Sequence, residues 1–327
     1  MRAPEFWAHQ GLVPTLLAPI AKLYEAAGAA RQFLVTPWRA PVPVVCAGNL
    51  VAGGAGKTPV VLSLAALLSE RGHRPHIVMR GYGGSLAGPV RVDPDRHGSR
   101  EVGDEALLLA RAGRCVVSRD RIAGARAAIA DGAQLVLLDD GFQNPSLVKD
   151  LSFVVVDGSY GFGNGRVMPA GPLRETVRRG LGRAQAVIII GEDRCGGEAE
   201  VAGSLPVLHA ALVPRNAAEF AGRRVLAFAG IGRPAKFYAT LAALGAEIVE
   251  RRDFPDHHRY RADEVGALIT TARAHGALAV TTAKDLVRLP DDLRPEVGVL
   301  EVEIAWRDKE ALVELLTRSV LSPRMHD

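Results

Sequence analysis

Short apolar runs alternate with stretches of helical period along most of the chain. Val44, Val45, Cys46 and Ala47 form a run suited to a buried strand, and 59–68 reads as a helix that opens on Pro59. Further apolar runs predict strands over 76–79, 115–118, 134–138, 153–156 and 186–190, with a helix over 122–130. Strands and helices in such alternation predict a mostly parallel, doubly wound α/β sheet. The stretch 89–100 is polar and turn-rich and reads as an excursion from it. From about Arg223 the alternation restarts, with strands expected over 225–229, 247–250, 278–282 and 299–304 and helices over 234–244, 262–275 and 309–318.

Residues 1–38 follow a different pattern. Leu12, Leu16, Ile20 and Leu23 recur at helical spacing, Val13, Leu17 and Tyr24 fall beside them, and Phe6 and Trp7 precede. Pro14 and Pro19 interrupt the stripe. Its nearly uncharged part, 6–21, is too short to cross a bilayer and ends at Lys22. Two fates fit: a helix packed on its own domain, or one lying in a membrane interface, which Trp7, Phe6, Arg2, Lys22 and Arg31 suit.

Composition narrows the picture only modestly. The 327 residues suit two domains, and 48% hydrophobic with 23% charged residues describes a globular chain. A net charge of +4 and a pI near 9.1 favour anionic partners. Aromatics at 5%, with no basic run among them, make nucleic acid the weakest such partner. The three cysteines are far apart, without metal-ligand spacing, and read as reduced thiols.

The chemistry concentrates where the first strand gives way to a helix. Gly53, Gly54, Ala55, Gly56, Lys57 and Thr58 make a glycine loop ending in Gly-Lys-Thr, whose backbone N–H groups and helix dipole suit phosphate. Lys57 would reach the β and γ phosphates and Thr58 a Mg²⁺ ion, which fixes a nucleoside triphosphate as cofactor but not the reaction. Val51 stands where the usual pattern has its first glycine. Asp139 and Asp140 end an apolar run in the Walker B arrangement. Asp104, in Gly103-Asp104-Glu105, suits either a helix cap or a catalytic carboxylate. Arg174, Arg178, Arg179 and Arg183 lie at helical spacing, as a solvated face or a phosphate site. The loop 254–260 holds His257 and His258; paired histidines suggest metal, without a further ligand cluster, and histidine beside carboxylate suits proton transfer. Lys284 and Asp285 are adjacent in Thr-Ala-Lys-Asp, which speaks against a guanine-reading signature.

Taken together, Gly48-Asn49-Leu50, the Gly53 to Pro59 loop, Arg80-Gly-Tyr-Gly83, Gly103-Asp-Glu105, Asp139-Asp-Gly-Phe-Gln143, Pro169-Ala-Gly-Pro-Leu-Arg-Glu175 and Asp256-His257 resemble the tetraacyldisaccharide 4′-kinase (lipid A 4′-kinase) family of Gram-negative bacteria. That family's loop is likewise atypical at the Val51 position. The resemblance implies a P-loop NTPase-type α/β fold: two α/β/α domains with mostly parallel sheets flank a nucleotide cleft, joined by a small β linker, behind an N-terminal amphipathic helix. On this chain it implies a membrane-interface helix over 1–38, a P-loop catalytic domain over 39–220 and a smaller α/β domain over 221–327. The implied activity moves the γ-phosphate of ATP, with Mg²⁺, onto the 4′-hydroxyl of a tetraacyldisaccharide 1-phosphate to give lipid IVA. The implied setting is the cytoplasmic face of the inner membrane, with the protein a peripheral monomer and no nucleic-acid partner.

Carried over residue by residue, the resemblance gives Lys57 and Thr58 the P-loop roles and Asp139 and Asp140 the Mg²⁺-associated ones. Asp104 matches the acid that takes the hydroxyl proton and His257 the histidine assisting it, with His258 a second candidate. Arg121, Arg174, Asn49, Tyr82, Glu105, Gln143 and Glu175 match residues placed around the site. Two rivals remain: a membrane-surface ATPase switch that phosphorylates no acceptor, and a kinase acting on a small soluble metabolite.

Overall fold

The apolar runs become strands because alternate residues feed a core on each side of one sheet. In β1 (Val44–Gly48), Val45 and Ala47 face one core while Val44 and Cys46 face the other. Burial on both faces is what a parallel sheet covered by helices requires, and it accounts for runs apolar throughout rather than alternating. The structure, a computed structural model, describes residues 4–321.

Beyond β1 the larger sheet contains β2 (Pro75–Met79), β3 (Val90–Arg91), β4 (Arg114–Val117), β5 (Leu135–Asp139), β6 (Leu151–Asp157), β7 (Ala186–Ile190) and β8 (Val207–Pro214). The smaller sheet is wholly parallel, with β9 (Arg224–Ala229), β10 (Glu247–Asp253), β11 (Leu278–Thr282) and β12 (Gly298–Leu300) in the order β10-β9-β11-β12. A last strand, β13 (Val302–Trp306), returns to the larger sheet, whose order is β13-β8-β7-β6-β1-β5-β2-β4-β3. Only its edge strands, β13 and β3, run antiparallel. The architecture is α/β with mostly parallel sheets, as expected.

Several elements differ from the sequence reading. The run expected over 299–304 is two strands in different sheets, broken at Glu301, where the chain crosses back. The helix Lys309–Leu316 that follows buries Leu312, Leu315 and Leu316 against the larger sheet. β8 escaped the reading because only alternate residues, such as Leu208 and Ala210, are buried. The excursion over 89–100 holds β3 and the start of a short helix, Ser99–Val102. The P-loop helix runs Lys57–Glu70, two residues ahead of Pro59, because a proline in the first turn gives up an N–H that has no intrahelical partner there. The arginines expected on one helix are not: the helix is only Val177–Leu181, leaving Arg174 and Arg183 outside it.

The N-terminal helix spans Leu12–Leu34 and uses both faces. Pro14 and Ala21 are buried and Leu17 packs on the core, whereas Leu16 is 69% exposed, Leu23 72% and Phe33 90%. Trp7, expected at the interface, turns inward and its Nε1 donates to Pro169 O at 3.1 Å. Asn164 ties the same entry segment down by donating to Phe6 O and His9 O. Among the described residues no helix is long and apolar enough to cross a membrane.

Gly48 ends β1 against the loop that follows β5, and a Cβ there would sit 2.3 Å from Phe142 Cβ. Gly48→Ala should therefore lower stability by about 1–3 kcal/mol, read from denaturant unfolding, through overpacking that the loop can relieve only by moving.

Candidate active site

The phosphate loop is held open from below. Gly56, in the left-handed region at φ 82°, precedes the helix and offers no side-chain cap, so the first N–H groups of the helix are left for an anion. The strand-like entry to the loop is pinned from outside: Ala52 N donates to Pro172 O and Arg174 N to Leu50 O, both at 2.7 Å. Val51 sits in a bridge with Leu173, a pairing that glycine is not needed for. Inside, buried Asn49 donates from Nδ2 to Val51 O at 2.7 Å and Gly53 O at 3.2 Å, while its Oδ1 accepts from Lys57 Nζ at 3.0 Å.

The acidic pair arrives beside this loop because β1 and β5 are neighbours, with Ala47 opposite Asp139. Thr58 Oγ1 donates to Asp139 Oδ2 at 3.2 Å, and Asp139 Oδ1 is buried without a partner. Burial, then Glu105, pushes the Asp139 pKa up. Asp140 occupies the left-handed region at φ 55°, a conformation rare outside glycine and often found at functional sites. Its carboxylate accepts from Arg174 at 3.0 and 3.3 Å and lies 3.5 Å from Lys57 Nζ. Burial raises its pKa, but Lys57 and Arg174 outweigh that and hold it below the usual range. Arg174 also donates to Gln143, which bonds Asn49 O and Glu175, and Arg183 holds Glu175 at 2.6 Å.

These oxygens fit Mg²⁺. A hydroxyl and an unpartnered buried carboxylate oxygen are hard donors, and Mg²⁺ takes few protein ligands, completing its shell with phosphates and water. Among the described residues no group of three or more His, Cys, Asp or Glu is placed to hold a metal, and His257 and His258 turn to different carboxylates, Asp104 and Glu264.

The smaller sheet faces the loop across a cleft. Asp104 is the first residue of the helix Asp104–Ala112; Gly103 is its N-cap, and the Asp104 side chain caps nothing. Asp104 Oδ2 instead accepts from His257 Nδ1 at 3.0 Å and Arg288 Nε at 2.7 Å. Burial raises the Asp104 pKa, and His257 and Arg288 more than reverse it. Glu105 pairs with Lys284. Tyr82 is exposed, its ring 6.1 Å from that of His257. His258 points elsewhere, to Glu264 at 3.3 Å and stacked on Phe254. Arg121 is buried below the acids, donating to Ser118 O at 2.6 Å, with its Nε unpartnered.

The sequence reading names Lys284 only to set aside a guanine-reading signature, and it does not reach Arg288 or the Asp157 cluster, where Arg233 and Lys236 both lie 2.8 Å from the carboxylate. Arg288 left one trace, a lone cation between Val287 and Leu289.

A phosphate loop, an adjacent acidic strand end and a parallel sheet define a P-loop nucleotide-binding protein. The family model for tetraacyldisaccharide-1-P 4′-kinase matches residues 13–321, and the chain belongs to that family. Curated relatives called tetraacyldisaccharide 4′-kinase are 57% identical in Rhodospirillum centenum, covering 97% of this chain and 96% of that one, and 54% identical in Gluconacetobacter diazotrophicus, covering 97% of each. A crystal structure of the "apo" form of LpxK from Aquifex aeolicus in complex with ATP matches with a TM-score of 0.77 at 28% identity, over 94% of this chain and 100% of that chain.

Two outcomes follow from the electrostatics. Asp139→Asn should raise the Mg²⁺ concentration needed for half-maximal activity by about tenfold or more, measured by Mg²⁺ titration at saturating ATP. Asp104 and Asp157 both have depressed folded-state pKa values despite burial, through His257 and Arg288 on one and Lys236 and Arg233 on the other. Their stabilisation of the cleft is therefore complete above about pH 4, the unfolded carboxylate value, and lost as pH falls through the lowered values. Hydrogen exchange should show the cleft contacts intact at pH 5 and opening only below the ordinary carboxylate range.

Proposed function

We propose that this protein uses Mg-ATP to phosphorylate the 4′-hydroxyl of tetraacyldisaccharide 1-phosphate, giving lipid IVA, with Asp104 receiving the hydroxyl proton and His257 assisting. The observation that carries this reading is the Asp104–His257 contact, which joins a carboxylate on the P-loop side of the cleft to a histidine of the opposite side. Phosphoryl transfer asks the protein mainly to position groups and offset charge, with one group to take a proton. The P-loop N–H groups and Lys57 hold the phosphates, and Lys57 with Arg174 offsets their charge, with Arg121 in reserve beneath the acids. Thr58, Asp139 and Asp140 would hold the Mg²⁺, which supplies neutralisation of the phosphate oxygens when bound. Asn49, Gln143 and Glu175 keep the loop and Arg174 in register, Glu105 holds Lys284, and Tyr82 lies beside His257 at the cleft.

The finer setting belongs to the same proposal. We place the monomeric protein at the cytoplasmic face of the inner membrane, held by the exposed face of the helix Leu12–Leu34. Leu12, Leu16, Ile20, Leu23, Phe33 and Leu34 support this, since each large apolar side chain transferred from water contributes roughly 1.5–3 kcal/mol. We treat 39–220 as the catalytic unit, extended by β13 and the helix after it, and β9 to β12 with their helices as the second unit.

Labelled γ-phosphate transfer from Mg-ATP to tetraacyldisaccharide 1-phosphate in detergent micelles tests the reading. Wild type should form the phosphorylated lipid, and Asp104→Ala should lose at least about 100-fold in kcat while remaining folded. Free phosphate without lipid product would point to the ATPase switch, and undiminished use of a soluble acceptor after deletion of 1–38 to the small-metabolite kinase.

A further inference from the structure

The Arg288 side chain is only 2% exposed, and it is built into the strand ends of the smaller sheet. Its Nη1 donates to Gly230 O at 2.8 Å and to Asp285 Oδ1 at 3.1 Å. Asp285 is fixed in turn, accepting from Gly230 N and Tyr260 OH at 3.0 Å and from Thr282 Oγ1 at 2.7 Å. The guanidinium plane is thus set before Asp104 is considered. What remains faces the cleft: Nε, which donates to Asp104 Oδ2 at 2.7 Å, and Nη2, which lies 3.4 Å from His257 Nδ1.

We propose that Arg288 is a positioning residue for phosphoryl transfer: it fixes the Asp104 carboxylate through Oδ2 and leaves Oδ1 as the oxygen that accepts the hydroxyl proton. The inference rests on the reading of Asp104 as the base. His257 approaches the same Oδ2, so both donors engage one oxygen, while Oδ1 makes no hydrogen bond to a described residue. Two donors held by different elements stop the carboxylate from rotating. The proton of the acceptor hydroxyl passes to Oδ1, its oxygen forms the new bond to phosphorus, and the bond from phosphorus to the ADP oxygen breaks with ADP leaving. A fixed cation makes Asp104 a weaker base but keeps it ionised, and a loose transition state needs little prior deprotonation of the nucleophile. The charged groups around Asp104 are Arg288, His257 with Asp256 3.9 Å behind it, and the neighbouring Glu105–Lys284 pair.

The test is the pH dependence of kcat for lipid phosphorylation at saturating Mg-ATP. Arg288→Met should lower kcat by about 100-fold, leave the KM for ATP within about twofold, and move the acid limb up by about one pH unit or more as Asp104 loses its cation. Because Arg288→Met strands Asp285, the double variant Arg288→Met with Asp285→Asn removes that buried charge and should show the same displaced limb. Arg288→Lys should return the limb toward the wild-type position without restoring full kcat. An acid limb that stays at its wild-type position in the folded double variant overturns the proposal, as does undiminished kcat. Normal turnover by Asp104→Asn would instead remove the base itself; loss in Asp104→Asn with an unmoved limb in the Arg288 variants overturns the positioning role alone.

Discussion

The parallel pairing of β1 with β5 is the constraint on which the site depends. It sets Ala47 beside Asp139, so the chain leaving β1 as a glycine loop and the chain leaving β5 as an acidic turn emerge side by side. A slip of one residue would turn every side chain of the strand to the opposite face and part Thr58 from Asp139. β1 is apolar on both faces, so hydrophobic pattern alone does not set this register; the fit of its side chains into the two cores does.

Val287 apart, which packs into the core of the larger sheet, the contacts across the cleft are of another kind. Asp104 with Arg288 and His257, Glu105 with Lys284, and Asp157 with Arg233 and Lys236 are ionic and hydrogen-bonded. The partners His257, Lys284, Arg233 and Lys236 are part-exposed, and such pairs separate into water at lower cost than an apolar seam would. On the proposed reading, a cleft that admits ATP and a lipid headgroup and releases both products is served by that choice. The exception is Arg288, whose burial ties it permanently to one side.

How much of this could be read from the chain follows from the distance over which each feature is encoded. The Gly-Lys-Thr loop and Asp139-Asp140 are local patterns at the ends of apolar runs, and the α/β class follows from strand and helix alternation. Asp104 and His257 are 153 residues apart, and it took a resemblance across many motifs, not spacing, to name them together. Arg288 lies 184 residues from Asp104 and shares no motif with it, so the pairing exists only in the fold. The return of β13 was equally hidden: Glu301 is one of two glutamates in the run 299–304, and nothing local says that the chain changes sheets at the first of them. Val51 shows the converse, since a departure from pattern is accounted for once Leu173 is seen beside it.

That return has a mechanical consequence. The chain leaves the larger sheet after Pro214 and re-enters it at Val302, and these two residues are direct partners in the β8–β13 ladder. The two crossings are stitched together by Arg215 N to Glu301 O, and by Asn216 to Val299 O and Glu301 N. The smaller sheet is therefore hung like a door on two adjacent pins rather than on a single string. Twisting about the connection is resisted, and swinging about the line of the pins is the freedom that remains.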